Sequence, residues 1–94
     1  MNFLIQPNRI YAEDSSGRLL AEVTYSESEG CWNIEHTFVD DSLRGQGIAG
    51  QLMQTIADQA KSQKKRLLPV CSYAVQWFHK HKEQYQELLK QPTE

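Results

Sequence analysis

Apolar and polar positions alternate up to Val39 and then change period. Leu19, Ala21, Val23 and Tyr25 fall on one side of a run whose other side carries Leu20, Glu22 and Thr24. That two-residue period is the mark of a half-buried strand. Cys31 to Val39 repeats it, with Trp32, Ile34, His36 and Phe38 on one face and Asn33, Glu35, Thr37 and Val39 on the other. Arg9 to Glu13 reads as an earlier strand through its β-favouring Ile10 and Tyr11. Phe3-Leu4-Ile5 can begin another, but Pro7-Asn8 interrupts it. Asp14 to Gly17 and Ser26 to Gly30 are polar turns. The expected result is an antiparallel meander.

From Ile48 the spacing becomes helical. Ile48, Leu52, Met53, Ile56, Ala57 and Ala60 form one stripe, while Gln51, Gln54, Asp58 and Lys61 point away. This predicts a helix of about four turns with one face on a sheet, ending near Ser62-Gln63. Leu67 to Cys71 is a short buried strand. Pro69 has no N–H, so this strand must lie at an edge or splay from its neighbour. A strand-helix-strand connection makes residues 66–71 parallel to 31–39 through a right-handed crossover. Ser72 is placed to cap a helix from Tyr73 to about His81, with Trp77 and Phe78 one turn beyond Tyr73 and Ala74 on an aromatic inner face. Glu83 to Lys90 predicts a last short helix with Tyr85, Leu88 and Leu89 inward, and Gln91 to Glu94 is expected to fray. The fold class is α/β (α+β): a mostly antiparallel sheet with a central helix crossing to a parallel strand.

The chain has 94 residues, which indicates a single domain over 1–94. A hydrophobic fraction of 39% and a charged fraction of 23% suit a soluble globular protein. The formal net charge of −2 argues against a general nucleic-acid binder. No apolar run is long enough for a membrane span, and the first residues lack the basic start of a signal peptide. Cys31 and Cys71 are too few for a disulfide scaffold, so the expected setting is the reducing cytoplasm. No His, Cys, Asp or Glu cluster has metal-ligand spacing, and no metal is expected. The expected assembly is a monomer or weak homodimer.

The chemistry concentrates between the last long strand and the helix. Asp40 to Leu43 is a short polar turn, and Arg44-Gly45-Gln46-Gly47-Ile48-Ala49 leads into the helix. A helix start offers unpartnered N–H groups and a partial positive charge, which attract anions, phosphates above all. Gly45 and Gly47 permit close approach of a ligand to the backbone, and Arg44 adds a planar cationic fork. Cys71 ends a parallel strand, where α/β-type sites collect, and precedes a helix start. His36 reads as a hydrogen-bonded core histidine or as a general base near neutrality, with Glu35 as a competing base.

The string Arg-x-x-Gly-x-Ala at Arg44, Gly47 and Ala49 resembles the acyl-CoA pyrophosphate loop of the GNAT superfamily of N-acetyltransferases. With Leu-Leu-Pro-Val-Cys-Ser-Tyr at 67–73, the chain looks like the small, YjdJ-like branch of that superfamily, over roughly residues 9–89. The resemblance implies a GNAT-like fold in which two parallel strands part in a V that admits acyl-CoA. It implies that amides of Gly45, Gln46, Gly47, Ile48 and Ala49 hold the diphosphate beside Arg44, and that the main chain of Phe38 and Val39 pairs with the pantetheine arm. It places Cys71 near the thioester, either as a transient acyl-cysteine or as a soft wall of the acyl pocket. Tyr73 would give a proton to the departing CoA thiolate. The implied reaction moves an acetyl group from acetyl-CoA to a primary amine of a small molecule or peptide. A non-catalytic acyl-CoA-binding protein or subunit is the alternative. Lys64-Lys65-Arg66 and His79-Lys80-His81-Lys82 are both candidates for the CoA 3′-phosphate. The tight turn at Asp14 to Gly17 departs from larger members, whose helices there build the acceptor pocket.

Overall fold

In a computed structural model that describes residues 1–89, the alternating runs form one sheet of five strands. Strand β1 (Leu4–Gln6), β2 (Arg9–Glu13), β3 (Leu19–Ser28) and β4 (Cys31–Val39) follow one another as an antiparallel meander, and β5 (Arg66–Pro69) joins β4 in parallel. The first strand forms despite its short length. Pro7 and Asn8 do not interrupt it but turn it, since Asn8 adopts φ 71°, the positive φ that the second central position of a type II turn requires. Helix α1 (Ile48–Ser62) connects β4 to β5 and is followed after β5 by α2 (Ser72–Lys80) and a single turn, α3 (Lys82–Tyr85).

The apolar stripe of α1 is buried as its spacing requires: Leu52, Met53, Ile56 and Ala60 have no exposed surface. They pack with Ile10, Val23 and Ile34 from the sheet, and with Ala74 and Phe78 from α2. Tyr85, Leu88 and Leu89 close the edge of this core. Because all helices contribute to one cluster, the opposite face of the sheet carries no helix among the described residues. Tyr11 lies on that open face yet is 7% exposed. The Arg9 guanidinium sits 3.6 Å over its ring while pairing with Glu22 at 2.6 Å, so the arginine stem roofs the aromatic.

Several expectations are corrected by local physics. Strict alternation puts His36 and Phe38 on the face of Ile34. The register instead shifts between Thr24 and Tyr25, so that Thr24 opposes His36 and Tyr25 opposes Ile34, leaving Glu35 as an extra residue. This β-bulge inverts the alternation. His36 and Phe38 are exposed on the helix-free face, and Thr37 and Val39 turn toward the helices. The cap of α2 is Cys71 rather than Ser72, because the sulfur accepts from the Ala74 N–H at 3.4 Å. The last helix is only α3; beyond it the chain bends so that Leu67 N–H donates to Leu88 C=O at 2.9 Å and Leu89 bridges Leu67. The expected fraying at Gln91 to Glu94 lies outside the described residues.

Replacing Leu52 by alanine is expected to cost about 2–5 kcal/mol of unfolding free energy, because the site is sealed between helix and sheet. The same truncation at Val75, 48% exposed on α2, should change stability by less than about 0.5 kcal/mol. Urea unfolding of the two variants measures the contrast.

Candidate active site

The parallel pairing of β4 with β5 stops early. The register runs from Cys31 opposite Arg66 to Ile34 opposite Pro69 and no further. At that point the Ile34 carbonyl accepts from both Val70 N–H at 2.9 Å and Cys71 N–H at 3.0 Å. Val70 and Cys71 both direct their N–H groups to this one carbonyl, the bulge at Glu35 bends β4 away, and Cys71 begins a helix. Residues 35–39 of β4 therefore have no strand partner on their β5 side among the described residues. Asp40 N–H donates across β3 to Leu20 C=O at 2.8 Å. Peptide groups alternate along a strand, so those of Phe38 and His36 also face β3, while those of Thr37 and Val39 face the opening. The main-chain groups that face the opening are thus those of Val39 and Thr37, whereas the resemblance implied Phe38 and Val39.

The loop beyond β4 is built from short-range bonds. Asp40 caps a single 3-10 turn at Asp41–Leu43, its Oδ2 accepting from Ser42 N–H at 3.1 Å and from Ser42 Oγ at 2.6 Å. Its Oδ1 accepts from Arg18 at 2.7 Å. The Ser42 hydroxyl first, then the Arg18 guanidinium, hold the Asp40 carboxyl down at about 2. The β2–β3 turn is thereby clamped to the loop that enters α1. Gly45 and Gly47 then take φ of 81° and 73°, a conformation that side-chain-bearing residues resist.

Gly47 is the N-cap of α1, with no side-chain cap, and the first helical bond runs from Gln51 N–H to Gly47 C=O at 3.1 Å. The amides of Gly45, Gly47, Ile48, Ala49 and Gly50 donate to no protein acceptor among the described residues. Gln46 is the exception, bonded to Leu43 C=O at 3.4 Å. These amides border a cleft of about 250 Å³ lined also by Val39, Leu43, Arg44 and Tyr73. Arg44 is largely exposed and pairs with Asp41 at 2.9 Å, a surface contact weak enough to yield to a stronger anion.

The structure thus brings together Val39, Arg44 to Ala49 and Tyr73. Burial pushes the Tyr73 phenol up, so it is a neutral donor at physiological pH. Cys71 sits at the apex of the opening, half-buried, with Sγ 3.4 Å from Thr37 Oγ1. His36 is not brought in from the helical side; its ring stands on the open face. Thr37, Asp40, Arg18 and Gly50 were not legible as site residues. Only the Asp-x-Ser spacing of Asp40 and Ser42, which favours a side-chain-capped turn, gave any signal.

A family model described as GCN5-related N-acetyl-transferase matches residues 9–88. The chain belongs to the GCN5-related N-acetyltransferase family. A GCN5-like protein from Staphylococcus aureus, solved by NMR, is 28% identical and superposes with a TM-score of 0.79 over 98% of this chain and 90% of its own. An acetyltransferase from Bacillus cereus is 25% identical, with a TM-score of 0.64 over 79% of this chain and 54% of that one. A GNAT-family N-acetyltransferase from Escherichia coli, solved in complex with CoA, is 25% identical, with a TM-score of 0.56 over 64% and 38%. Among curated proteins none matches the chain. This family member therefore spans nearly all of the first of these proteins and about half or less of the other two. The parted parallel strands and the uncapped helix are the GNAT fold expected from Arg44, Gly47 and Ala49.

Asp40 ionises below its ordinary value of 3.8. Its contribution to stability is complete above that value and is lost as pH falls toward about 2. The acid-induced drop in Tm over this window should be shallower in Asp40→Asn than in the parent chain. Equal slopes would show that the carboxylate does not brace the loop.

Proposed function

We propose that the chain transfers an acetyl group from acetyl-CoA to a primary amine, as a small, YjdJ-like member of its family. The observation that carries this reading is the set of amides at Gly45 and Gly47 to Gly50, opening beside a strand whose Val39 and Thr37 peptide groups, like those amides, have no partner among the described residues. The amides match a diphosphate, and the strand edge matches an amide-bearing arm that adds to it as a further strand. Arg44 exchanges Asp41 for the diphosphate. The CoA-bound relative supports the same ligand class.

In this reading the acyl-CoA arm lies in the opening from the helical side, and the amine arrives from the helix-free face. His36 stands on that face and takes the proton of the incoming ammonium, with Glu35 beside it in the bulge. The neutral amine then attacks the thioester carbonyl, and a free β4 N–H steadies the oxyanion. As the carbon–sulfur bond breaks, Tyr73 donates its proton to the thiolate, and the proton that the attacking nitrogen sheds on becoming an amide restores the phenol. Positioning of the two reactants supplies most of the rate. Cys71, tied to Thr37 and the Ala74 amide, serves as a soft wall at the acyl end rather than as a nucleophile.

A second reading, a non-catalytic acyl-CoA-binding subunit, is favoured by one specific observation. The β2–β3 turn is closed by Gly17 N–H to Asp14 C=O at 3.0 Å, and among the described residues the face beyond it carries no helix to build an acceptor pocket.

Acetyl-CoA at about 100 times its dissociation constant should stabilise the fold by roughly 2.7 kcal/mol, raising Tm by about 10 °C or more. No shift at millimolar ligand would exclude both readings. In an acyl-transfer screen over polyamines, amino acids and lysine peptides, Tyr73→Phe should lower kcat about 100-fold with little change in acetyl-CoA binding. Cys71→Ala should leave turnover within a few-fold. An acetyl adduct on Cys71 in single-turnover mass spectrometry would instead establish a covalent route. Binding with no turnover of any amine would favour the subunit.

A further inference from the structure

Beyond its diphosphate, CoA carries a ribose 3′-phosphate that needs cations of its own. Two basic clusters in the chain are suited by charge, Lys64-Lys65-Arg66 and His79-Lys80-His81-Lys82. Helix α1 separates them in space. Its 15 residues span about 22 Å at the rise of an α-helix. The free amides lie at one end, and Lys64 to Arg66 lie past the other. At that far end Lys65 is held by Glu27 at 2.7 Å, and Arg66 donates to Leu89 C=O at 3.2 Å.

The other cluster is joined to the cleft by a short stack of rings. Gly50 lines the cleft. A Cβ built on it would meet Trp77 Nε1 at 3.2 Å, so the indole lies against the first turn of α1. The His81 ring stacks on that indole with centroids 4.0 Å apart. His81 Nδ1 is 2.8 Å from the Trp77 carbonyl. A carbonyl only accepts, so Nδ1 carries the proton of this bond and Nε2 is left for another partner. Lys80 and Lys82 are exposed on either side of His81. With His79 they line a hollow of about 310 Å³, which Glu83 also borders.

We propose that this hollow seats the 3′-phosphate of the acyl-CoA, with Lys80 and Lys82 as its cations and the Trp77–His81 stack as the bridge from the diphosphate amides. The inference rests on the acyl-CoA reading of the cleft and makes the chain selective for 3′-phosphorylated nucleotide.

Calorimetric titration at low salt with CoA and with 3′-dephospho-CoA tests it. CoA should bind about five- to tenfold more tightly, as expected for two exposed ion pairs, and the difference should shrink as salt is added. The double variant Lys80→Ala/Lys82→Ala should lose this preference while binding dephospho-CoA as before. The variant Lys64→Ala/Lys65→Ala should keep it. Equal affinity of the parent chain for both nucleotides would overturn the proposal and leave the diphosphate reading intact. So would a preference that survives loss of Lys80 and Lys82 and disappears with Lys64 and Lys65. If neither nucleotide binds, the diphosphate reading fails and this inference falls with it.

Discussion

The Ile34 carbonyl takes two hydrogen bonds, from the amides of Val70 and Cys71, and the sheet parts beyond it. Each participant is committed to ending the ladder. Val70 directs its amide to the carbonyl that Cys71 also uses, Cys71 is already the cap of α2, and Glu35 is the extra residue of a bulge that turns β4 aside. A buried unpaired backbone group is costly, so an opening in a sheet persists only where water or a ligand can reach it. The double bond at Ile34 satisfies the groups at the closed end. The peptide groups of Thr37 and Val39 are left to the open end, beside the one helix start among the described residues that has glycine for a cap.

The same opening explains why the diphosphate loop sits where it does. A strand that ends free can deliver its chain directly into the next helix, and here only the turn at Asp41–Leu43 and the residues to Gly47 intervene. Asp40 holds that turn from below and ties it through Arg18 to the β2–β3 turn. On the other side Trp77 presses against Gly50. The cleft is thus braced by both neighbours of α1, which presents its amides without having to reorganise them on binding. Such preorganisation is what electrostatic binding and catalysis exploit.

Much of this was legible in the residues. The α1 stripe gave its helix to within a residue at each end, because Leu52, Met53, Ile56, Ala57 and Ala60 share one face of a helix but would fall on both faces of a strand. Pro69 announced an edge strand by the donor it lacks, its nitrogen facing away from β4. Arg44, Gly47 and Ala49 marked the loop. His36 was placed on the wrong face because a single inserted residue, Glu35, reverses every face downstream of it. A bulge is a choice of register between two strands, and neither strand alone encodes it. Phe38 failed as a main-chain partner for a related reason, since which peptide groups face outward depends on the bond between Asp40 and Leu20. Thr37 and Gly50 became visible only when Cys71 and Trp77, distant in sequence, came to rest on them.

The central claim is that free amides at the α1 start and the unpaired edge of β4 together hold one acyl-CoA molecule. A titration of ¹⁵N-labelled protein with acetyl-CoA, followed by amide chemical shifts, tests it most directly. The account predicts saturable shifts concentrated at Thr37, Val39, Gly45 and Gly47 to Gly50, with the amides of β1 and of the β3–β4 turn unmoved. Saturable binding that leaves the α1 start and the β4 edge unshifted would contradict it.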